Sequence, residues 1–594
     1  MNTDIENLFK DKVIGHPAGL FVIFFTEMWE RFSFYGMKIL LVLFLTAPFL
    51  SDNPGWEWSR ENALALIGTY SSLLYLTPIV GGYIADKITG YKWAVIIGCF
   101  IMMLGHLSMV FETTWSLYLG LALLIIGTGF FKPNMTSMIS EMYKGKESKK
   151  DGAYTIYYMG VNAGAFFGMM LCGYLAENIG WSYGFGLAGI FMLGGLIQFW
   201  LAKDLFGQIG EKPSKVYEVE LPQNINEEHP KEHDTNATNE KLNPFTSLDK
   251  ILIVLSALGG LLYLFNDPLS KIGNINLLPF NLGGLDGSNA TILIALVLFL
   301  YLIISRMSRY NPVVRDKIIA VSIFGIFTVF FFGAFEQSLG SMTLFARDYT
   351  SRDLAGNSAL IFKIIDTILT IVPLAIITWV LYLLFKKTYS KIPYSNIILG
   401  LTFLFLWYIV YYKVNNEFSK ETTEVGASWF GILNSFFIIT LAPLFSKWWE
   451  SKYNPSVAMK YGIGLILLGL GFGILVFGTM GIPQGAKTAS VSMIFLILAY
   501  LFHTMGELCI SPVGLSYLSK LVPGRMIGFM FGIWYLAIAI GQKAAGTMGG
   551  MIDKITEQYS LSTFFLIFTL VPIGIGLVSM LLNPILKKLM HGVR

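Results

Sequence analysis

The stretch TEMWERFSFYG, Thr26 to Gly36, lies inside an apolar run from about residue 20 to residue 50. About 20 apolar residues suffice to cross a bilayer, so the run reads as a membrane-spanning helix. Yet it carries Glu27, Glu30, Arg31 and Lys38. Each charge at mid-membrane costs roughly 2.5–3.5 kcal/mol on insertion scales. Charges retained at that cost face a bundle interior or a wet cavity and mark an ion or substrate path. Glu27, Arg31, Tyr35 and Lys38 are spaced four, four and three apart, which puts them on one helical face. The plainer reading is a buried ion pair that only holds helices together.

The rest of the chain has the same character. Of 594 residues, 54% are hydrophobic and 13% charged. A chain this apolar belongs in a bilayer, as a polytopic all-α membrane protein. The net charge of +4 does not indicate nucleic acid, because the basic residues sit at helix ends. Lys10 and Lys12 precede a long span without the short apolar region and cleavage site of a signal peptide, so the first helix is expected to direct its own insertion. Cys99, Cys172 and Cys509 are far apart within apolar spans and suggest neither a disulfide framework nor a metal site. No phosphate-binding loop, HExxH helix or Ser/His/Asp grouping is present, so neither ATP hydrolysis nor another enzyme activity is expected.

Hydropathy gives about sixteen spans by the length criterion. Six fall near 20–50, 60–85, 93–111, 115–140, 152–176 and 183–202, forming an N-terminal six-helix bundle over 1–204. A polar stretch over 205–248 lacks apolar periodicity and reads as a flexible cytoplasmic linker, its His229 and His233 solvated. A helical hairpin follows over 249–307, then a C-terminal bundle over 308–594 with an additional helix pair at about 358–412. Loops holding Lys87, Lys144 to Lys150, Arg306 to Lys317, Lys386 to Lys391, Lys447, Lys520 and Lys587 all fall on one side, with Arg347 and Arg352 as exceptions. Positive residues concentrate in cytoplasmic loops, so both termini are expected in the cytoplasm. Without the hairpin and the additional pair, two six-helix halves remain. Each has its charges on its first and fourth helices: Glu27, Glu30, Arg31, Lys38 and Lys132 in one, Glu336 and Glu507 in the other. Transporters built from repeated halves place their site at the midplane between them.

GGYIADKITGYK, Gly81 to Lys92, resembles the short-loop signature of the major facilitator superfamily. TEMWERFSFYG resembles the E-x-x-E-R-F-x-Y-Y-G signature of proton-coupled oligopeptide transporters. GTGFFKPNMTSMISEMY (127–143), YTIYYMGVNAGAFFG (154–168), FFFGAFEQ (330–337) and the stretch 506–536 are similar, in order, to the family's further motifs. The resemblance implies a bacterial inner-membrane symporter of di- and tripeptides with the major facilitator fold, working as a monomer with the proton as coupling ion and no other cofactor. It implies that Glu27, Glu30 and Arg31 form a proton-coupling cluster partnered by Lys132, with Glu336 and Glu507 also titrating. It implies a peptide pocket lined by Arg31, Tyr35, Lys38, Tyr75, Lys132, Asn162, Glu336, Asn434, Glu507 and Trp534. Within it Glu507 would take the peptide ammonium, and the bases of the first half its carboxylate. Physical chemistry supports this division, since an asparagine both donates to and accepts from amides and aromatic walls suit varied side chains.

There are departures. Phe34 replaces a tyrosine, Lys38 stands where arginine is common, Gly68 replaces the histidine of animal members, and serine follows Asn434 where proline is frequent. His503, one turn before Glu507, is expected to serve helix packing. The additional pair at 358–412 has no counterpart in the usual fourteen-helix bacterial layout and suggests a peripheral packing or partner role. A same-fold carrier of another small solute such as nitrate is the alternative, which the acid at Glu507 disfavours. A membrane-embedded sensor or enzyme is the third reading.

Overall fold

The computed structural model describes residues 2–212, 243–521 and 527–592. Most of the polar stretch 205–248, with His229 and His233, lies outside the described residues, as does Arg525. Among the described residues sixteen helices of membrane length succeed one another, fourteen of them apolar enough to cross a bilayer by composition alone. The other two are α1 (Ala18–Thr46), which holds the four charges, and α15 (Ile527–Gly550). The first six continue with α2 (Arg60–Ile84), α3 (Tyr91–Met109), α4 (Thr114–Met142), α5 (Lys150–Asn178) and α6 (Trp181–Ala202). The hairpin is α7 (Ser247–Ile272) and α8 (Gly287–Met307). Then come α9 (Pro312–Phe335), the additional pair α10 (Gly356–Thr388) and α11 (Pro393–Ser419), α12 (Ile432–Glu450), α13 (Val457–Thr479), α14 (Met493–Leu521), α15 and α16 (Leu561–Leu581).

Local chemistry sets the ends. Ser59 accepts from the Asn62 amide to start α2, Thr246 and Asp249 cap each other to start α7, and Pro312 opens α9 where its missing N–H is not needed. Within a bilayer the helices gain nothing by hiding apolar surface from lipid, so small residues decide which pairs approach. The seam of α1 and α5 shows this. Gly160, Gly164 and Gly168 recur every fourth residue along α5 and face the backbone of α1. A Cβ at Gly164 would lie 2.2 Å from the Met28 carbonyl oxygen, and one at Gly168 2.1 Å from that of Phe32.

Helices α1 to α6 form one bundle through the pairs α1/α5, α3/α4, α1/α6, α2/α4 and α3/α6. Helices α9 and α12 to α16 form the second through α13/α16, α13/α14, α9/α15 and α12/α14. The bundles meet where α2 packs on α15 and α5 on α12, and the hairpin rests on α2. The additional pair follows a helix of the second half but packs on α6 and α1 of the first bundle. It leaves and returns at one place, where Asp353–Leu354 pairs antiparallel with Thr423–Glu424. Arg352, a sequence exception to the charge rule, secures this base through Glu424 at 2.7 Å and the Val425 carbonyl at 2.6 Å. Arg347, the other exception, binds Asp348 and donates to the Thr46 hydroxyl at 2.8 Å.

Candidate substrate and proton site

The helical spacing read from the sequence brings the first cluster together. Arg31 Nε lies 3.0 Å from Glu27 Oε1 and 2.5 Å from Glu30 Oε2, and all three side chains are buried. These are contacts of charge and not directed hydrogen bonds. Two carboxylates face one guanidinium, so the trio carries an excess negative charge when both acids are ionised. A buried unbalanced charge is costly, and either a proton on one acid or the Lys132 ammonium beyond the trio offsets it. Phe34, which stands in a tyrosine's place, turns its ring face to both bases: the Arg31 guanidinium is 5.3 Å and the Lys38 ammonium 5.8 Å from its centroid. Loss of the hydroxyl thus leaves a cation–π surface.

Lys38 Nζ reaches across to Glu336 Oε2 at 2.9 Å, tying α1 to the turn Glu336–Leu339 that follows α9. This pair lines a small cavity with Gly68, Ser71, Gln337 and Gln542.

The expected pairing of Lys132 with the first cluster is not what the structure holds. Arg31, on the same helix as both acids, takes them. No ion pair joins Lys132 to Glu27 or Glu30 among the described residues; its ammonium lies over the Tyr75 ring, 4.2 Å from the centroid. Lys132 remains within electrostatic reach of Arg31, Glu30 and Glu27. Asn162 is buried, its amide donating to the Tyr158 carbonyl of its own helix at 2.9 Å.

In the second bundle Asn434 Nδ2 donates to Glu507 Oε2 at 2.8 Å and contacts the Thr504 hydroxyl at 3.1 Å. Glu507 is therefore held in place on one oxygen. His503, as expected, serves packing: it is buried against Phe472, ring centroids 4.4 Å apart. Trp534 is buried, wedged where a Cβ on Gly514 would stand 2.1 Å from its ring. Its neighbour Tyr535 is half-buried, its ring centroid 6.4 Å from that of Tyr75. Tyr35 is half-buried at the centre, within electrostatic reach of Arg31 and Glu30 on one side and of Glu336 and Glu507 on the other.

Other buried charges escape a reading of the sequence. Lys543 of α15 pairs with Asp267 of the hairpin and donates to the Thr69 hydroxyl at 2.8 Å. Lys413 pairs with Asp366 inside the additional helix pair. At one end of the molecule Arg60 binds Asp348 at 2.8 Å and Asp553 at 2.7 Å, closing the bundles against each other there.

Two six-helix bundles, with an acid on one and bases on the other at their junction, define a secondary transporter. The sequence model of the POT family matches residues 92–259 and 402–567, more than half the chain, and the protein belongs to that family. The peptide transporter YePEPT of Yersinia enterocolitica is 28% identical, over 98% of this chain and 96% of its own length. The di-/tripeptide transporter of Lactococcus lactis subsp. cremoris is 26% identical, over 99% of this chain and all of its own. A solved POT family transporter in complex with a thioalcohol-conjugated peptide superposes with a TM-score of 0.70 at 23% identity, covering 98% of this chain and 100% of that one. A peptide transporter POT in complex with sulfate gives 0.68 at 24%, covering 100% and 99%.

Proposed function

We propose that this chain takes up di- and tripeptides together with protons, by alternating access between its two bundles. The observation that carries the reading is the polarity of the junction. Glu507, oriented by Asn434, stands on the second bundle, while Lys132, without a carboxylate partner among the described residues, stands on the first. A short peptide offers one ammonium and one carboxylate, and this pair of charges reads both ends without reading side chains. An acid at Glu507 repels nitrate and other anions. Tyr35, Tyr75 and Tyr535 supply adaptable walls, and Asn162 and Asn434 supply amide groups for the peptide bond.

The proton enters through the imbalance of the Glu27–Glu30–Arg31 trio and through the Lys38–Glu336 pair. One charge crossing 100 mV contributes about 2.3 kcal/mol, enough for appreciable accumulation. With both termini in the cytoplasm of a bacterial inner membrane, the end closed by Arg60, Asp348 and Asp553 is the outer one. The structure then corresponds to a state closed to the outside.

Purified protein in liposomes with an inward proton gradient and labelled dialanine tests the reading. Accumulation above a gradient-free control, competed by unlabelled dipeptide and not by nitrate, is expected. Folded protein that accumulates nothing overturns it.

A further inference from the structure

The additional helix pair holds three buried charged residues that the transport site does not use: Lys363, Asp366 and Lys413. Lys363 donates to the Lys420 carbonyl at 2.6 Å, which leaves Asp366 and Lys413 as the pair. A buried ion pair is a weak source of stability, because desolvation offsets its attraction. Asp366 has a second partner that points elsewhere. Its Oδ1 accepts from the Trp429 indole N–H at 2.9 Å, and Phe362 packs edge-on to that indole, centroids 5.2 Å apart. Trp429 lies in the 3₁₀ turn Ala427–Gly431 that leads directly into α12, five residues before Asn434.

The helix pair itself is fastened to the first bundle. Phe403 packs on Phe25 and Trp29, the Thr370 hydroxyl contacts Met170 sulfur at 3.0 Å, and the Ser395 hydroxyl donates to the Gln198 carbonyl at 2.8 Å. Glu177 of α5 completes the seat, accepting from the amides of Ala427 at 2.8 Å and Ser428 at 3.0 Å.

We propose that Asp366 is a positioning residue for the peptide site. Through Trp429 it fixes the start of α12 against the first bundle, and so the reach of Asn434 to Glu507. The inference rests on the peptide reading above and gives the additional pair a part in transport, as the anvil against which the acid end of the site is held. The acceptor oxygen is what matters, and the charge of Asp366 is needed only because Lys413 is beside it.

Four variants separate these roles. W429F removes the indole donor and leaves the ion pair; D366L/K413M removes acceptor and charges together; D366N/K413M removes the charges and keeps an acceptor for the indole. W429F and D366L/K413M are expected to raise the KM for dialanine about tenfold with Vmax within twofold and an unchanged melting temperature. D366N/K413M is expected to keep a KM near that of the unaltered protein. N434A, as a reference, raises KM whatever the seat of α12. Hydrogen–deuterium exchange over 430–438 reads the positioning without substrate and is expected to quicken in W429F and D366L/K413M only. An unchanged exchange rate in W429F overturns the proposal, as does a quickened rate with unchanged KM, or a D366N/K413M variant as impaired as D366L/K413M. If the unaltered protein neither binds nor carries dialanine, the peptide reading fails, and the exchange data alone decide the positioning.

Discussion

Replacing Glu336 by glutamine leaves the Lys38 ammonium buried without its counter-charge. The side chains are 5% and 13% exposed and 2.9 Å apart, and they belong to different bundles. Breaking a fully buried pair costs about 3–5 kcal/mol, and exposed pairs are worth about 1 or less. Glu336 borders a cavity, so about 2 kcal/mol is the fitting magnitude for the pair. Because the pair spans the bundles, the loss falls on the conformation described here and shifts its balance with the opposite one by about thirtyfold. E336Q and K38M should each produce this shift, and E336Q/K38M no more than either alone, since the bond is lost once. Spin labels on the exposed loops 49–52 and 483–487 report the populations by pulsed dipolar distances. The native cysteines Cys99, Cys172 and Cys509 are buried and leave the labelling clean. Additive shifts in the double variant, or distance distributions unchanged in all three, would refute the cross-bundle role of this pair.

Other substitutions probe the remaining parts. E27Q should abolish gradient-driven dialanine uptake while exchange of labelled for unlabelled dipeptide survives, since it neutralises the acid excess of the first cluster; driven uptake at the original rate counts against coupling there. E507Q should weaken dialanine at least tenfold but leave N-acetylated dialanine unaffected, which competition assays read directly. G164L should reduce folded yield severely, because its side chain has no room beside the Met28 carbonyl, and size-exclusion profiles in detergent would show it. Outside the membrane spans, burial and the neighbouring charge of Lys149 hold the His16 imidazole below its usual value, and it contacts the Tyr143 hydroxyl at 2.7 Å. Its neutral form therefore favours the fold, and that contribution is lost as pH falls below the ordinary histidine value. H16Q should show a flatter melting temperature between about pH 7 and pH 5 than the unaltered protein.

The helices are legible in the sequence because crossing a bilayer demands length and apolarity whatever the fold, and the structure differs from the sequence spans by only a few residues at most ends. The Glu27–Glu30–Arg31 cluster is legible because charge in an apolar run is expensive and the spacing is local. What hydropathy cannot convey is direction. It finds α10 and α11 but not that they rest on the first bundle, because lipid and protein are equally apolar neighbours. Trp534 and Tyr535 are adjacent in sequence, yet one is wedged against Gly514 and the other faces Tyr75; helix rotation decides, and both are aromatic. The family resemblance assigns Lys132 to the acids, but whether it or Arg31, already on their helix, makes the closer contact depends on rotamers that no motif records. Lys543 and Asp267 escape notice because their pairing runs through the hairpin, which stands apart from both six-helix halves.

The seam of glycines between α1 and α5 bears on how the machine moves. With backbones in contact there, the two helices cannot slide or pivot separately, so the acid trio and Asn162 ride as one casting. Whatever exposes these groups to water during a transport cycle then has to move this two-helix unit against its neighbours, and not one of its helices against the other.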